Sequence, residues 1–227
     1  MKPIIKEAIQ LIDPIFSDVG FLRCSKKGLW MIDKDYYAII IELQPNSYSE
    51  SVFMNTAVCF LWEKSEKTNQ VLTFDLSYRI NTEGEDILYD DCFEERIKKY
   101  ANNAIKYVFE NYNFQNISET RKRYYTRKLS LTRIDFWMYY NYSMLCFLDA
   151  DFLEGKKFFN SFITELKRSI KRDSVYIEWK DKLLRHSIEE MLPFLSDKDN
   201  AIAHVKRSIR IRRSILSQKK EYNMLGN

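Results

Sequence analysis

Across the first twenty residues, Ile4, Ile5, Ala8, Ile9, Ile12 and Phe16 recur three and four apart, the spacing of one buried helix face. Pro3 suits a first turn and Gly20 a position just past the last, so the pattern predicts a helix that bends or ends near Pro14. From Gly28 the period falls to two. Leu29–Asp33 and Tyr36–Gln44 predict a hairpin closing at Lys34-Asp35, and Val52–Glu63 a third strand after the polar loop PNSYSES. Val71–Ile80 predicts a fourth strand. There Leu72, Phe74, Leu76, Tyr78 and Ile80 alternate with Thr73, Asp75, Ser77 and Arg79, so one face packs and the other is partly polar.

A long helix follows, with Phe93, Ile97, Ala101, Ala104, Val108 and Tyr112 turned inward and Asp91 with Glu94 as its capping pair. Beyond about residue 115 no period-two segment remains. Helices are expected at roughly 118–128, 130–149, 156–171, 174–192 and 197–219. The stretch YSMLCFLDADFLEGKKFFNSFITELKRS reads as one helix-turn-helix unit, present in a single copy. The expected class is therefore α+β: an N-terminal helix, a four-stranded antiparallel sheet and a long helix over 1–115, then an all-α region over 116–227.

Charge divides at the same place. Residues 1–115 hold 13 Lys/Arg against 18 Asp/Glu, and residues 116–227 hold 23 against 14. An acidic α+β half precedes a basic helical half. The 227 residues, 45% hydrophobic and 30% charged, exclude a disordered or low-complexity chain. Lys6, Glu7, Asp13 and Asp18 break up the apolar positions a secretory signal would need. The longest charge-free run, Phe136–Leu148, is thirteen residues, short of the ~18 that span a bilayer. Cys24, Cys59, Cys92 and Cys146 are scattered without a CxxC pair, which points to reduced thiols and a cytoplasmic setting.

Gly20-Phe21, Lys26-Lys27-Gly28-Leu29-Trp30, Ile41-Glu42-Leu43-Gln44, Ser47-Tyr48-Ser49 and Phe53-Met54-Asn55-Thr56-Ala57-Val58 follow one another in an order that resembles a bacterial family of unknown function, DUF4304. The resemblance covers about residues 1–115, with Ala57 standing where the family carries Gly. It implies a helix, an antiparallel sheet and further helices. It also implies, through some relatives, an immunity or accessory role in bacterial conflict systems, with no activity attached.

A nuclease-type site would draw on Glu7, Asp33 and Glu42. A hairpin closing at Lys34-Asp35 sets Glu42 opposite Lys27, too far along the ladder from Asp33 to share a metal. His186 and His204 stand alone, and no esterase, phosphate-loop or dinucleotide motif occurs. No catalytic residue, metal ligand or cofactor is expected.

Two binding surfaces remain. For a protein partner, the candidates are Asp75, Ser77 and Arg79 on the polar strand face, with the acidic run's Glu83, Glu85, Asp86, Asp90 and Asp91. For nucleic acid, the alternative, they are Arg121, Lys122, Arg123 and Arg127 around Tyr124 and Tyr125, with Lys206, Arg207, Arg210 and Arg213 on a C-terminal helix whose apolar stripe is Ile202, Val205, Ile209 and Leu216. A solvated helix face is the plain alternative for each basic run. The sequence favours a non-enzymatic protein that works by binding another protein.

Overall fold

The computed structural model describes residues 3–25, 28–62, 74–81, 86–129 and 135–218. They fall into two compact units: one runs up to Asn113 and takes in the chain from Arg210 onward, and the other is Phe114–Ile209. The class is α+β, with helices following an antiparallel sheet.

In the first unit, α1 (Pro3–Asp18) buries Ile4, Ile5, Ala8, Ile9, Ile12 and Phe16. It does not end at Pro14 but runs through it. Its actual stop is Gly20, at φ 88°, where Phe21 N–H bonds Phe16 O (3.0 Å) and Gly20 N–H bonds Ser17 O (3.0 Å). The Phe16 and Phe21 rings close the same turn, 5.9 Å apart.

Among the described residues the sheet has six strands rather than four. They are β1 (Leu22–Ser25), β2 (Leu29–Asp33), β3 (Tyr37–Pro45), β4 (Ser51–Phe60), β5 (Leu76–Arg79) and β6 (Ile87–Leu88). The order is β1-β2-β3-β4-β5, with β6 paired to the start of β4. The two extra strands, of four and two residues, are too short to carry a period. Central β3 is buried on both faces from Tyr37 to Ile41, which explains its unbroken apolar run. Expected strand positions Glu63 and Val71–Thr73 lie outside the described residues.

The first hairpin is shifted from its expected register. Leu29 pairs with Glu42 and Asp33 with Ala38, so Glu42 does not face Lys27, which lies outside the described residues. The cause is the turn. Asp35 takes φ 71°, its N–H bonded to Asp33 Oδ1 (3.0 Å), and Tyr36 N–H bonds Lys34 O (3.0 Å). An Asp carboxylate lets the chain turn one residue later than expected. Asp33 and Glu42 are then about four rungs, or ~13 Å, apart. They still cannot share an ion, and Asp33 is paired with Arg213.

Helix α2 (Phe93–Asn111) buries Phe93, Ile97, Ala101, Ala104 and Val108. Its entry is fixed by Asp90, not Asp91: the Asp90 carboxylate accepts from Cys92 N–H (3.0 Å) and its carbonyl from Phe93 N–H (2.9 Å). Tyr37 ties the helix end to the sheet by donating its hydroxyl to Tyr112 O (3.0 Å).

The second unit contains α3 (Ile117–Leu129), α4 (Phe136–Leu148), α5 (Phe152–Arg172), α6 (Glu178–His186), a π-turn at Ser187–Met191 and α7 (Leu192–Phe194). Helix α8 (Lys198–Gln218) starts in it. Ten consecutive or near-consecutive residues of α4 are buried, so this helix is a core element on all sides. Its two polar members are satisfied: Asn141 Nδ2 donates to Tyr124 Oη (3.3 Å) and Ser143 Oγ to Gly155 O (2.7 Å).

α4 and α5 form the hairpin the sequence suggests. The junction is a Schellman turn, Asp151 N–H to Cys146 O (2.9 Å) and Ala150 N–H to Phe147 O (3.1 Å). Ala150 occupies its left-handed position at φ 59° and is exposed. The strain of about 1–2 kcal/mol exceeds the ~0.5–1 kcal/mol by which Gly favours the unfolded chain. Ala150→Gly is therefore expected to raise stability by about 0.5–1 kcal/mol in urea denaturation, and a loss would contradict this turn.

Candidate functional site

β3, β4 and β5 build an exposed polar surface. Tyr78 turns toward the helices, stacking on Tyr107 of α2 at 4.3 Å. By the pleat, Ser77 and Arg79 turn to the opposite face, and the register sets Arg79 beside Asn55 and Asn55 beside Glu42. Farther along that face Ala38, Ile40, Ala57 and Cys59 are buried, so only the end carrying the polar residues is open.

These polar side chains hold one another. Asn55 Nδ2 donates to Glu42 Oε2 (3.3 Å) and Gln44 Oε1 (3.0 Å), which turns its Oδ1 toward Arg79, whose Nε donates to it at 3.3 Å. The Arg79 guanidinium lies 3.9 Å above the Phe53 ring. A shallow depression of about 330 Å³ is lined by Glu42, Asn55, Phe74, Ser77, Tyr78 and Arg79. It is too open to enclose a small molecule, which is normally buried over 70–90% of its surface. Three strands of fixed side chains instead give a flat, preorganised patch.

The β3–β4 loop borders this patch. Asp86 accepts from Ser51 Oγ (2.5 Å), Ser49 Oγ (3.2 Å) and Asn46 Nδ2, while Tyr48 at the loop tip is 98% exposed. The hydrogen bond from Ser51, followed by those from Asn46 and Ser49, holds the Asp86 carboxyl below its ordinary value against the opposing pull of desolvation. A depressed folded-state pKa contributes stability above the unfolded value that is lost as pH falls through the folded one. Protection of the loop amides, taken relative to their intrinsic exchange rates, is therefore expected to fall as the pH drops below the ordinary carboxylate range, and Asp86→Asn should remove that acid step.

The structure rearranges several expected site residues. Ser77 and Arg79 are exposed in the patch, but Asp75 is buried, its carboxylate accepting from Phe60 N–H (2.8 Å). It closes the end of β4 instead of facing a partner. Glu83 and Glu85 lie outside the described residues. Asp86 is engaged by the loop and Asp90 by Arg96 and the α2 entry, while Asp91 is exposed.

The first basic run changes more. Arg121 donates to Asp149 (3.1 Å) and Asp151 (2.7 Å), joining α3 to the α4–α5 turn, and its Nε donates to Tyr142 Oη (3.3 Å). Arg123 pairs with Glu119 at 2.7 Å. Tyr124 is wholly buried and Tyr125 packs against Tyr142 and Phe158, so neither ring is a platform for bases. Lys122 stays exposed and Arg127 half-buried. On α8, Ala201, Val205, Ile209 and Arg212 are buried while Ile202 is half-buried; Leu216 is not described at side-chain level. Arg213 pairs with Asp33, and Lys206, Arg207 and Arg210 are exposed.

Glu42, Gln44, Phe53 and Asn55 were not among the expected site residues. Their signal was visible: Glu42 and Gln44 are polar two residues apart on an otherwise apolar strand, and Asn55 interrupts another. Among the described residues no group of three or more His, Cys, Asp or Glu could hold a metal ion, and no helix is long and apolar enough to cross a membrane. Burial pushes the Cys24 and Cys146 thiols up to about 12, so both are protonated and poor nucleophiles at neutral pH. No protein-family model, curated protein or solved structure matches the chain.

Proposed function

We propose that this chain acts without catalysis, by binding another protein through the open end of the sheet, as an accessory or immunity-type protein in the cytoplasm. The supporting observation is the hydrogen-bonded array Glu42–Gln44–Asn55–Arg79, held flat and exposed on three strands with Arg79 pinned over Phe53. Side chains already fixed in place lose little entropy on association, and a flat polar patch with an aromatic beneath it suits a protein surface better than a small molecule.

A second reading keeps nucleic acid as the partner, favoured by the exposed Lys206, Arg207 and Arg210 on α8. It calls for binding that weakens steeply between ~50 and ~200 mM salt. One experiment separates the two. The tagged chain is recovered from its native host with and without nuclease, as wild type, as Ser77→Arg and as Lys206→Glu/Arg210→Glu. The protein-binding reading expects a stoichiometric protein that survives nuclease, is lost with Ser77→Arg and is kept by the α8 variant. Loss on nuclease treatment or with the α8 variant alone would contradict it.

A further inference from the structure

We propose that Arg79 is the carboxylate-reading residue of this surface, and that the partner places there one acidic side chain flanked by basic ones. The inference rests on the protein-binding reading above and gives that partner a chemistry.

The argument begins with how Arg79 is held. Its Nε–H is spent on Asn55 Oδ1, and one plane of the guanidinium covers Phe53. The Asn55 amide cannot turn over without losing its bonds to both Glu42 and Gln44, so its oxygen stays aimed at Arg79. What remains is the pair of terminal nitrogens, a planar fork whose spacing matches the two oxygens of a carboxylate. No carboxylate among the described residues lies within ion-pair distance of this fork. Asp86 is near enough to feel its charge, but is already bound by Ser51, Ser49 and Asn46.

The surroundings narrow the choice of anion. Glu42 and Asp86 flank one guanidinium, so the patch carries more negative than positive charge. A phosphate dianion or a nucleic-acid backbone meets repulsion from both acids. A single carboxylate with Lys or Arg neighbours meets Arg79 in the centre and the two acids at the sides. Asn55 is a positioning residue here, acting through Arg79.

The test uses the full chain with nitrogen-15 labelling and follows the side-chain resonances of Arg79 and Asn55. The probes are the peptide Ac-Lys-Gly-Glu-Gly-Lys-NH2, its Gln counterpart, and inorganic phosphate. The Glu peptide is expected to shift the Arg79 Nε–H and Asn55 Nδ2 signals saturably, with the Gln peptide weaker by about tenfold, the worth of one charge-assisted pair. Arg79→Lys, which keeps the charge and loses the fork, should weaken the Glu peptide by a similar factor. Equal binding of the Gln peptide, tighter binding of phosphate, an unaffected Arg79→Lys protein, or no saturable shift would each overturn the inference. Native-partner recovery separates this from the broader reading. Loss of the partner with Ser77→Arg but not with Arg79→Lys would overturn the carboxylate role alone, whereas retention with Ser77→Arg would overturn the protein-binding surface itself.

Discussion

Gly155→Ala is expected to destabilise the protein by about 1–2 kcal/mol, although Ala is the better helix former by ~1 kcal/mol. A Cβ built at Gly155 would stand 2.6 Å from both Cδ1 and Cε1 of Phe147. That ring is buried, so it cannot swing aside without disturbing the α4–α5 contact, and overpacking of this kind costs ~1–3 kcal/mol. The sign therefore depends on one ring. Phe147→Leu alone should cost about 1 kcal/mol or more through the space it leaves. With Leu in place, Gly155→Ala should become neutral or stabilising, because the clash is gone and the helix propensity remains. Urea denaturation of the two single variants and the double variant gives the coupling, expected at ~1–3 kcal/mol. Additive effects would mean that the two helices do not meet through this pair.

The largest single loss is expected at Trp30. Its side chain is fully buried, meets Phe16 of α1 edge-on at 4.8 Å, and donates its indole N–H to Asp13 at 2.7 Å. One residue on β2 thus packs and hydrogen-bonds the first helix onto the sheet. Trp30→Ala removes that contact and should cost ~3–5 kcal/mol, a large part of the 5–15 kcal/mol that holds a typical domain folded. Trp30→Phe keeps most of the packing and loses only the hydrogen bond, so it should cost less. If Trp30→Ala unfolded at the same denaturant concentration as the wild type, α1 would not be held to the sheet as described.

These two sites also show how far the sequence reaches. The stripe of α1 and the long helix α2 are legible because each buries one face at a constant period. The contact between Phe147 and Gly155 is not, because helix spacing places Gly155 just outside a helix expected from 156, whereas α5 begins at Phe152. A lone Gly reads as a breaker when its tolerance for close packing is invisible. Strands β1 and β6 are too short to show a period. The β2–β3 register depends on the left-handed Asp35, which no apolar pattern encodes.

The site was legible in pieces. Ser77 and Arg79 were read from strand alternation, but Asp75, in phase with them, is drawn inward by Phe60 N–H. Glu42 and Asn55 show in the sequence as polar residues on apolar strands, and the register sets them side by side. In the basic run, two residues take partners within the chain. Tyr124 and Arg121 look like a nucleic-acid motif until the fold buries the ring and supplies Asp149 and Asp151 to the cation. Charge in a sequence does not show which partner within the chain will take it.

The most direct test of the binding account is site-specific photocrosslinking in the native host, with a photoreactive amino acid placed at Ser77 in one strain and at Lys206 in another. The account predicts that the Ser77 probe captures one protein in high yield and the Lys206 probe captures none. Crosslinks from Lys206 to nucleic acid, with Ser77 silent, would contradict it and move the function to α8.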